Sequence, residues 1–135
     1  MNRIKQVLLA AATLALTAGA PLVGAAPPGV KVTDGTLTNG AGMTLYTFDR
    51  DAAGSGKSVC NGPCATNWPP VMATADAMAS GDYTVITRDD GARQWAYKGK
   101  PLYLWVKDQK PGDKTGDGVN NAWRVAKPYR VAVPW

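Results

Sequence analysis

Three groups of residues in this chain have types and spacings that chemistry uses. The first is Cys60 and Cys64, separated by Asn61-Gly62-Pro63. Two thiols so placed can close a small disulfide, exchange electrons, or offer thiolates to a soft metal such as copper. The second is an aromatic-and-carboxylate unit that occurs twice, as Tyr46-Thr47-Phe48-Asp49-Arg50-Asp51 and as Tyr103-Leu104-Trp105-Val106-Lys107-Asp108. On a strand Tyr46 and Phe48 share a face, as do Tyr103 and Trp105. Asp51 and Asp108 follow just past the strand end. One use of such units is a core layer of rings, with each Asp accepting backbone N–H bonds from the loop that follows. The other is a pair of pockets in which Tyr, Phe and Trp faces stack a sugar or a cation beside a carboxylate. The third group is Asp113, Thr115 and Asp117, with Gly118 next, at places 1, 3, 5 and 6 of a calcium loop. Place 12 of that loop needs a bidentate Glu and holds Arg124, so a Gly-rich turn held by Asp side chains competes with the metal reading.

Absences narrow the chemistry further. The chain has no His, and all of its 10 acidic residues are Asp. Ser-His-Asp and Cys-His catalytic sites, helical zinc-protease motifs and a His-ligated haem are therefore excluded. The cysteine spacing is one residue longer than the Cys-x-x-Cys of thiol oxidoreductases, and Ala65 stands where attached haem needs His. In an exported chain with no third cysteine these facts favour a structural disulfide, with Gly62-Pro63 providing the reversal. A bridge over so short a loop contributes roughly 2 kcal/mol. No cofactor is implied, and a metal is implied only through the Asp113 loop or the two thiols.

The elements that must position these groups begin after an export signal. Arg3 and Lys5 precede an apolar run from Val7 to Leu16, and Gly19, Pro21 and Gly24 interrupt that run. A spanning helix needs about 20 apolar residues, so the pattern predicts a signal peptide over residues 1–25 and no membrane span. Val23 and Ala25 are the small residues before the cleavage point, and no cysteine follows it for lipidation. Residues 26–135 are then expected to form one domain that is periplasmic or secreted and soluble. Removing Arg3 and Lys5 from 15 basic residues leaves 13 against 10 acidic, a net charge of +3. The charges alternate along the chain instead of forming a basic block, which argues against nucleic acid as a partner.

With 15 Gly and 10 Pro, composition favours strands and turns over helices. Strands are predicted at 30–33, 36–38, 43–48, 83–88, 92–97, 101–106, 122–126 and 129–133. Asn39-Gly40 and Lys98-Gly99 read as hairpin turns, and Asp34-Gly35 and Asp89-Asp90-Gly91 close other strands. Both faces of 43–48 carry bulk, so both should be covered. Long loops are expected at 49–70 and 108–121, and one or two helical turns over Ala73–Ser80. Residues 42–51 match 99–108 in Gly, Leu, Tyr, aromatic and Asp at identical spacing, and each copy is followed by a loop and a Trp, Trp68 and Trp123. The fold class is thus all-β: a single compact domain of about seven or eight short antiparallel strands, built from two hairpin-plus-loop repeats at about 35–72 and 92–128. Trp68 and Trp123 should hold equivalent, buried places.

These residues resemble a family of bacterial secreted repeat proteins, often labelled predicted lipoproteins and defined by the Tyr-x-aromatic-x-x-Asp motif. The similarity extends to Cys60-x-x-x-Cys64-Ala65-x-x-Trp68-Pro69-Pro70 and to Pro111-Gly112-Asp113, and covers roughly residues 35–128. It implies an exported repeat and no particular chemistry. The reading that follows is a non-catalytic periplasmic or secreted module that binds a small ligand or another envelope protein. The alternative is a thiol-dependent redox or metal-handling protein that uses Cys60 and Cys64. N-terminal sequencing of the exported protein should return Ala26, or a residue within a few of it; recovery of Met1 would overturn the signal-peptide reading.

Overall fold

The computed structural model describes Pro27 and residues 29–128. The signal segment and the strand expected at 129–133 lie outside the described residues. Seven strands are present: β1 Val30–Thr33, β2 Thr36–Asn39, β3 Tyr46–Phe48, β4 Tyr83–Thr87, β5 Arg93–Tyr97, β6 Lys100–Pro101 and β7 Trp123–Val125. All pairs are antiparallel: β1 with β2, β4 with β5 and β6, and β3 with β7. Two-residue turns set the local pairs. Asp34-Gly35 and Lys98-Gly99 both hold positive φ at both positions, the backbone twist that two-residue hairpins need. Asn39 makes a longer turn, its side-chain oxygen accepting the amides of Ala41 and Met43 at 3.0 Å each.

The pairing that matters most is not local. Leu45 N–H donates to Leu37, Ala126 N–H to Leu45, and Leu37 N–H to Ala126, each at 2.9 Å. In the second half Leu102 N–H donates to Trp95, Val71 N–H to Leu102, and Trp95 N–H to Val71, again each at 2.9 Å. Each ring of three bonds joins a hairpin of one repeat to the tail of the other. Repeat one contributes Val71 to the second ring, and repeat two contributes Ala126 to the first. The same exchange puts β7 beside β3, and residues 67–70 beside Tyr103 to Val106 through the bonds from Leu104 to Pro69 at 2.7 Å and from Val106 to Asn67 at 3.1 Å. At the centre Tyr46 and Tyr103 exchange both backbone bonds, at 2.8 and 2.9 Å. The result is one compact domain with crossed tails.

Two clusters make the core. Val30, Leu37, Leu45, Val71, Tyr83, Trp95, Leu102 and Ala126 form one; Tyr46, Phe48, Cys60, Trp68, Tyr103 and Trp123 form the other. Both draw on both repeats. The residues 43–48 feed the two clusters from opposite faces, Leu45 to the first and Tyr46 and Phe48 to the second, so both faces are covered as expected.

The helix expectation needs correction. Ala73–Ser80 is not helical, and the α-helix among the described residues, α1, spans Pro63–Asn67 inside the segment read as loop. At 73–80 tertiary contacts override propensity. Ala73 N–H bonds to Arg93 at 2.9 Å, and the Arg93 guanidinium donates to the carbonyls of Thr74, Ala75 and Ala77. Those are the acceptors a helix would have used. At 63–67 Pro63 occupies the first turn, where a missing N–H costs nothing, and the Cys60–Cys64 disulfide ties that turn to the preceding loop.

Because each tail closes the other repeat, neither repeat holds its own sheet. Fragments 27–76 and 77–128, prepared separately, should show unfolded amide spectra, and an equimolar mixture should recover the β-sheet circular dichroism of the whole domain. A well-dispersed spectrum from either fragment alone would show that the crossed pairing is dispensable.

Candidate functional site

The two aromatic-and-carboxylate units meet across the centre of the molecule, and each completes the other. A tight turn follows each aromatic residue, with Asp51 N–H on Phe48 O at 3.0 Å and Asp108 N–H on Trp105 O at 3.1 Å. That turn explains the spacing of the motif, since it swings the carboxylate back toward the centre. The carboxylate does not take the tyrosine of its own unit. Tyr46 donates to Asp108 Oδ2 at 2.6 Å, and Tyr103 donates to Asp51 Oδ2. The second oxygen of each Asp holds a loop: Asp51 Oδ1 accepts Val59 N–H at 2.8 Å, and Asp108 Oδ1 accepts Thr115 N–H at 3.0 Å and the Thr115 hydroxyl at 2.6 Å. Tyr46 and Tyr103 are fully buried, and Asp51 and Asp108 are 1% and 8% exposed. Burial, and then the bond to the partner carboxylate, raises both tyrosine pKa values far above the ordinary range.

Around this pair the rings form a continuous stack. Phe48 lies on Trp123 at 4.3 Å, Trp123 on Trp68 at 3.8 Å, and Trp68 on Trp105 at 3.9 Å between centroids. Tyr46 meets Trp68 edge-on at 5.4 Å and Tyr103 meets Trp123 edge-on at 5.1 Å, the geometry ring quadrupoles favour. Trp68 and Trp123 occupy equivalent buried places. Gly116 lies where a Cβ would come within 2.8 Å of Trp68 and 2.9 Å of Tyr46, and its N–H donates to the Tyr46 hydroxyl at 3.2 Å. One edge of the stack, with Phe48, Trp68 and Trp123, borders a surface hollow of about 320 Å³.

The remaining residues named from the sequence fall elsewhere. Cys60 and Cys64 are joined in a disulfide, with Cys60 buried beneath the stack; the pair is a clip, not a free dithiol. Asp113, Thr115 and Asp117 do not converge. Asp113 accepts the amides of Gln109 and Lys110 and the Lys110 ammonium, which lowers its pKa, chiefly through that side-chain bond. Thr115 serves Asp108, and Asp117 accepts Val125 N–H at 3.2 Å. Among the described residues no group of three or more His, Cys, Asp or Glu side chains could hold a metal ion.

A second polar cluster was missed by sequence reasoning. Arg88 is 5% exposed, and its guanidinium donates to Ser58 Oγ at 3.0 Å, Gln94 Oε1 at 2.7 Å, Cys60 O at 2.5 Å and Asn61 Oδ1 at 3.2 Å. Ser58 Oγ in turn lies 2.5 Å from the Tyr103 hydroxyl. This network ties the disulfide loop to β5 and to the tyrosine–aspartate pair. The only signal was one Arg at the end of an alternating strand, which elsewhere means an exposed cation.

The raised tyrosine values give a pH dependence of definite sign. The folded protein holds these phenolic protons more tightly than the unfolded chain does. Their contribution is therefore complete below the ordinary tyrosine value near 10 and declines as pH rises above it. Denaturant midpoints should fall between pH 8 and pH 11. The Tyr46→Phe/Tyr103→Phe variant should start lower at pH 8, by about 1–3 kcal/mol for each stranded carboxylate, yet fall less. Parallel losses in the two proteins would acquit these tyrosines.

A family model described as a secreted repeat of unknown function, Lipoprotein_15, matches this sequence twice, at residues 29–72 and 84–127. No curated protein and no solved structure matches the chain significantly. The two matches cover well over half of the sequence and coincide with the two halves that exchange tails and tyrosine–aspartate bonds, and the chain therefore belongs to this family of secreted repeats.

Proposed function

We propose that this protein is an exported, non-catalytic binding module that recognises an acidic glycan of the envelope or its surroundings. The aromatic rings, the paired tyrosines and aspartates, the buried arginine and the disulfide are all engaged with one another. They serve as scaffold, and recognition falls to the surface they support.

The observation that carries this reading is a continuous cationic groove. Three hollows of about 300, 310 and 570 Å³ adjoin one another. The first two share Asp34, Thr36 and Lys114, and the second and third share Val125 and Lys127. Along their joint length stand Lys31, Lys114, Lys127, Lys98, Lys100 and Arg124, against Asp34, Asp117 and Asp49. Arg124 pairs with Asp49 at 2.9 Å, and Lys100 is committed to the carbonyls of Phe48 and Asp51 at 2.7 Å each. Lys31, Lys114, Lys127 and Lys98 remain exposed. Single exposed ion pairs contribute about 0–1 kcal/mol, so a ligand that uses them must be extended and must meet several at once. The groove walls carry Thr hydroxyls and the Tyr97 ring, which suit sugar hydroxyls and sugar faces better than the apolar side chains of a peptide.

The protein should be retained on immobilised heparin at low salt and released as salt rises, because exposed charges are screened over about 8 Å at physiological ionic strength. Lys98→Glu/Lys127→Glu should abolish retention while changing stability by no more than about 0.5 kcal/mol, the usual range for surface positions. Retention that survives the double reversal would refute the groove.

A further inference from the structure

We infer that the hollow over β1 and β2 is a subsite for one hydroxylated monocarboxylate unit of uronate type. The inference rests on the acidic-glycan reading and names the part of the groove that reads a single sugar acid.

Strand register assembles the site. Thr33 pairs with Thr36, Lys31 with Thr38, and Thr38 with Thr44, so Lys31 and four threonines share one face of three adjacent segments. Thr36, Thr38 and Thr44 are 4%, 4% and 1% exposed. Two of the hydroxyls are engaged: Thr33 and Thr38 lie 3.0 Å apart, and Thr38 also donates to Lys31 O at 3.4 Å. Thr44 is different. Its Oγ1 is buried and has no hydrogen-bond partner among the described residues, although it borders a hollow of about 300 Å³. Buried hydroxyls are nearly always bonded, and this one stands beside a space of ligand size.

The opposite wall comes from the second repeat as Pro111, Gly112 and Lys114. Its position depends on Gly42, where a Cβ would approach Pro111 Cβ to 3.2 Å and where φ is +84°. Lys31 and Lys114 bring ammonium donors, Asp34 brings a carboxylate acceptor, and the threonines both donate and accept. A matching ligand carries one carboxylate for the lysines, a hydroxyl that donates to Asp34, and a further oxygen for Thr44. A simple fatty acid leaves the threonines and Asp34 unanswered. A dianion meets repulsion from Asp34. A neutral sugar leaves both lysines unpaired.

The test is a titration of the whole mature protein with glucuronate and with glucose, followed by amide chemical shifts. Glucuronate should move the amides of residues 31–44 and 111–114, and glucose should bind at least about tenfold more weakly. Thr44→Val removes the unpartnered hydroxyl without changing side-chain shape; it should fold as the parent does and bind glucuronate about tenfold more weakly. Lys114→Met, on an exposed loop, should weaken glucuronate and leave glucose unchanged, and it keeps the test open should Thr44→Val fold poorly. Equal affinity for the two sugars, unchanged affinity in both variants, or shifts confined to other residues would overturn the subsite. Lys98→Glu/Lys127→Glu separates the two readings. Heparin retention with no response to glucuronate defeats the subsite alone, and a glucuronate response without heparin retention defeats the groove alone.

Discussion

Two tyrosine hydroxyls, each donating to the aspartate of the other repeat, set the terms for the rest of this molecule. Tyr46 to Asp108 and Tyr103 to Asp51 are buried bonds to carboxylates, a class worth about 1.5–3 kcal/mol each and costly to leave half-made. Each can form only if the turn after the aromatic residue brings the Asp back by five positions, if the loop beyond supplies N–H groups to its second oxygen, and if the two Tyr strands lie side by side. The backbone exchange between Tyr46 and Tyr103 meets the last condition. The ring stack then follows from geometry, because Phe48 and Trp105 are carried on the same faces as the tyrosines and the tails deliver Trp123 and Trp68 between them.

Polar burial on this scale within a domain of some hundred residues is supportable because the groups answer one another. Arg88 has only neutral partners, yet it reaches the Tyr103 hydroxyl through Ser58 and the disulfide loop through Cys60 O and Asn61. The loops at 49–62 and 106–118 lack regular strands and are still held, each hung on one aspartate. The surface they present, and the groove wall at Pro111–Lys114 with it, takes its position from the buried centre. This is the link between a core of closed hydrogen bonds and a surface open to ligand.

Much of this was legible in the sequence where the signal is local. Asp34-Gly35 and Lys98-Gly99 announce their hairpins, and alternation across residues 43–48 announces a strand covered on both sides. Repetition of Tyr, aromatic and Asp at fixed spacing announces two units in one domain. Internal similarity says that two units exist but not whose tail closes whose sheet, and the decisive contacts join residues 62 and 52 positions apart. For the same reason the motif could be read either as a core layer or as a ligand pocket. Ala73–Ser80 misled because its composition favours helix while Arg93, distant in sequence, takes its carbonyls. Pro63–Asn67 misled in the other direction, since a single turn set beside a disulfide leaves almost no periodic trace. Thr44 gave no signal, because an orphan hydroxyl exists only relative to its neighbours in space.

The crossed arrangement bears on how such a chain can diverge. A substitution at Tyr46 is judged not by its own unit but by Asp108, and one at Asp51 by Tyr103, so effects at these positions cannot add independently. Neither copy is free to drift into a specialised variant at the centre, because every change there needs a complement in the other copy at the same time. The freedom lies in the stretches hung outside the reciprocal bonds, such as the Cys60–Cys64 loop in one copy and the Pro111–Gly118 loop in the other. A duplicated unit of this kind keeps its symmetry inside and acquires its individuality at the rim.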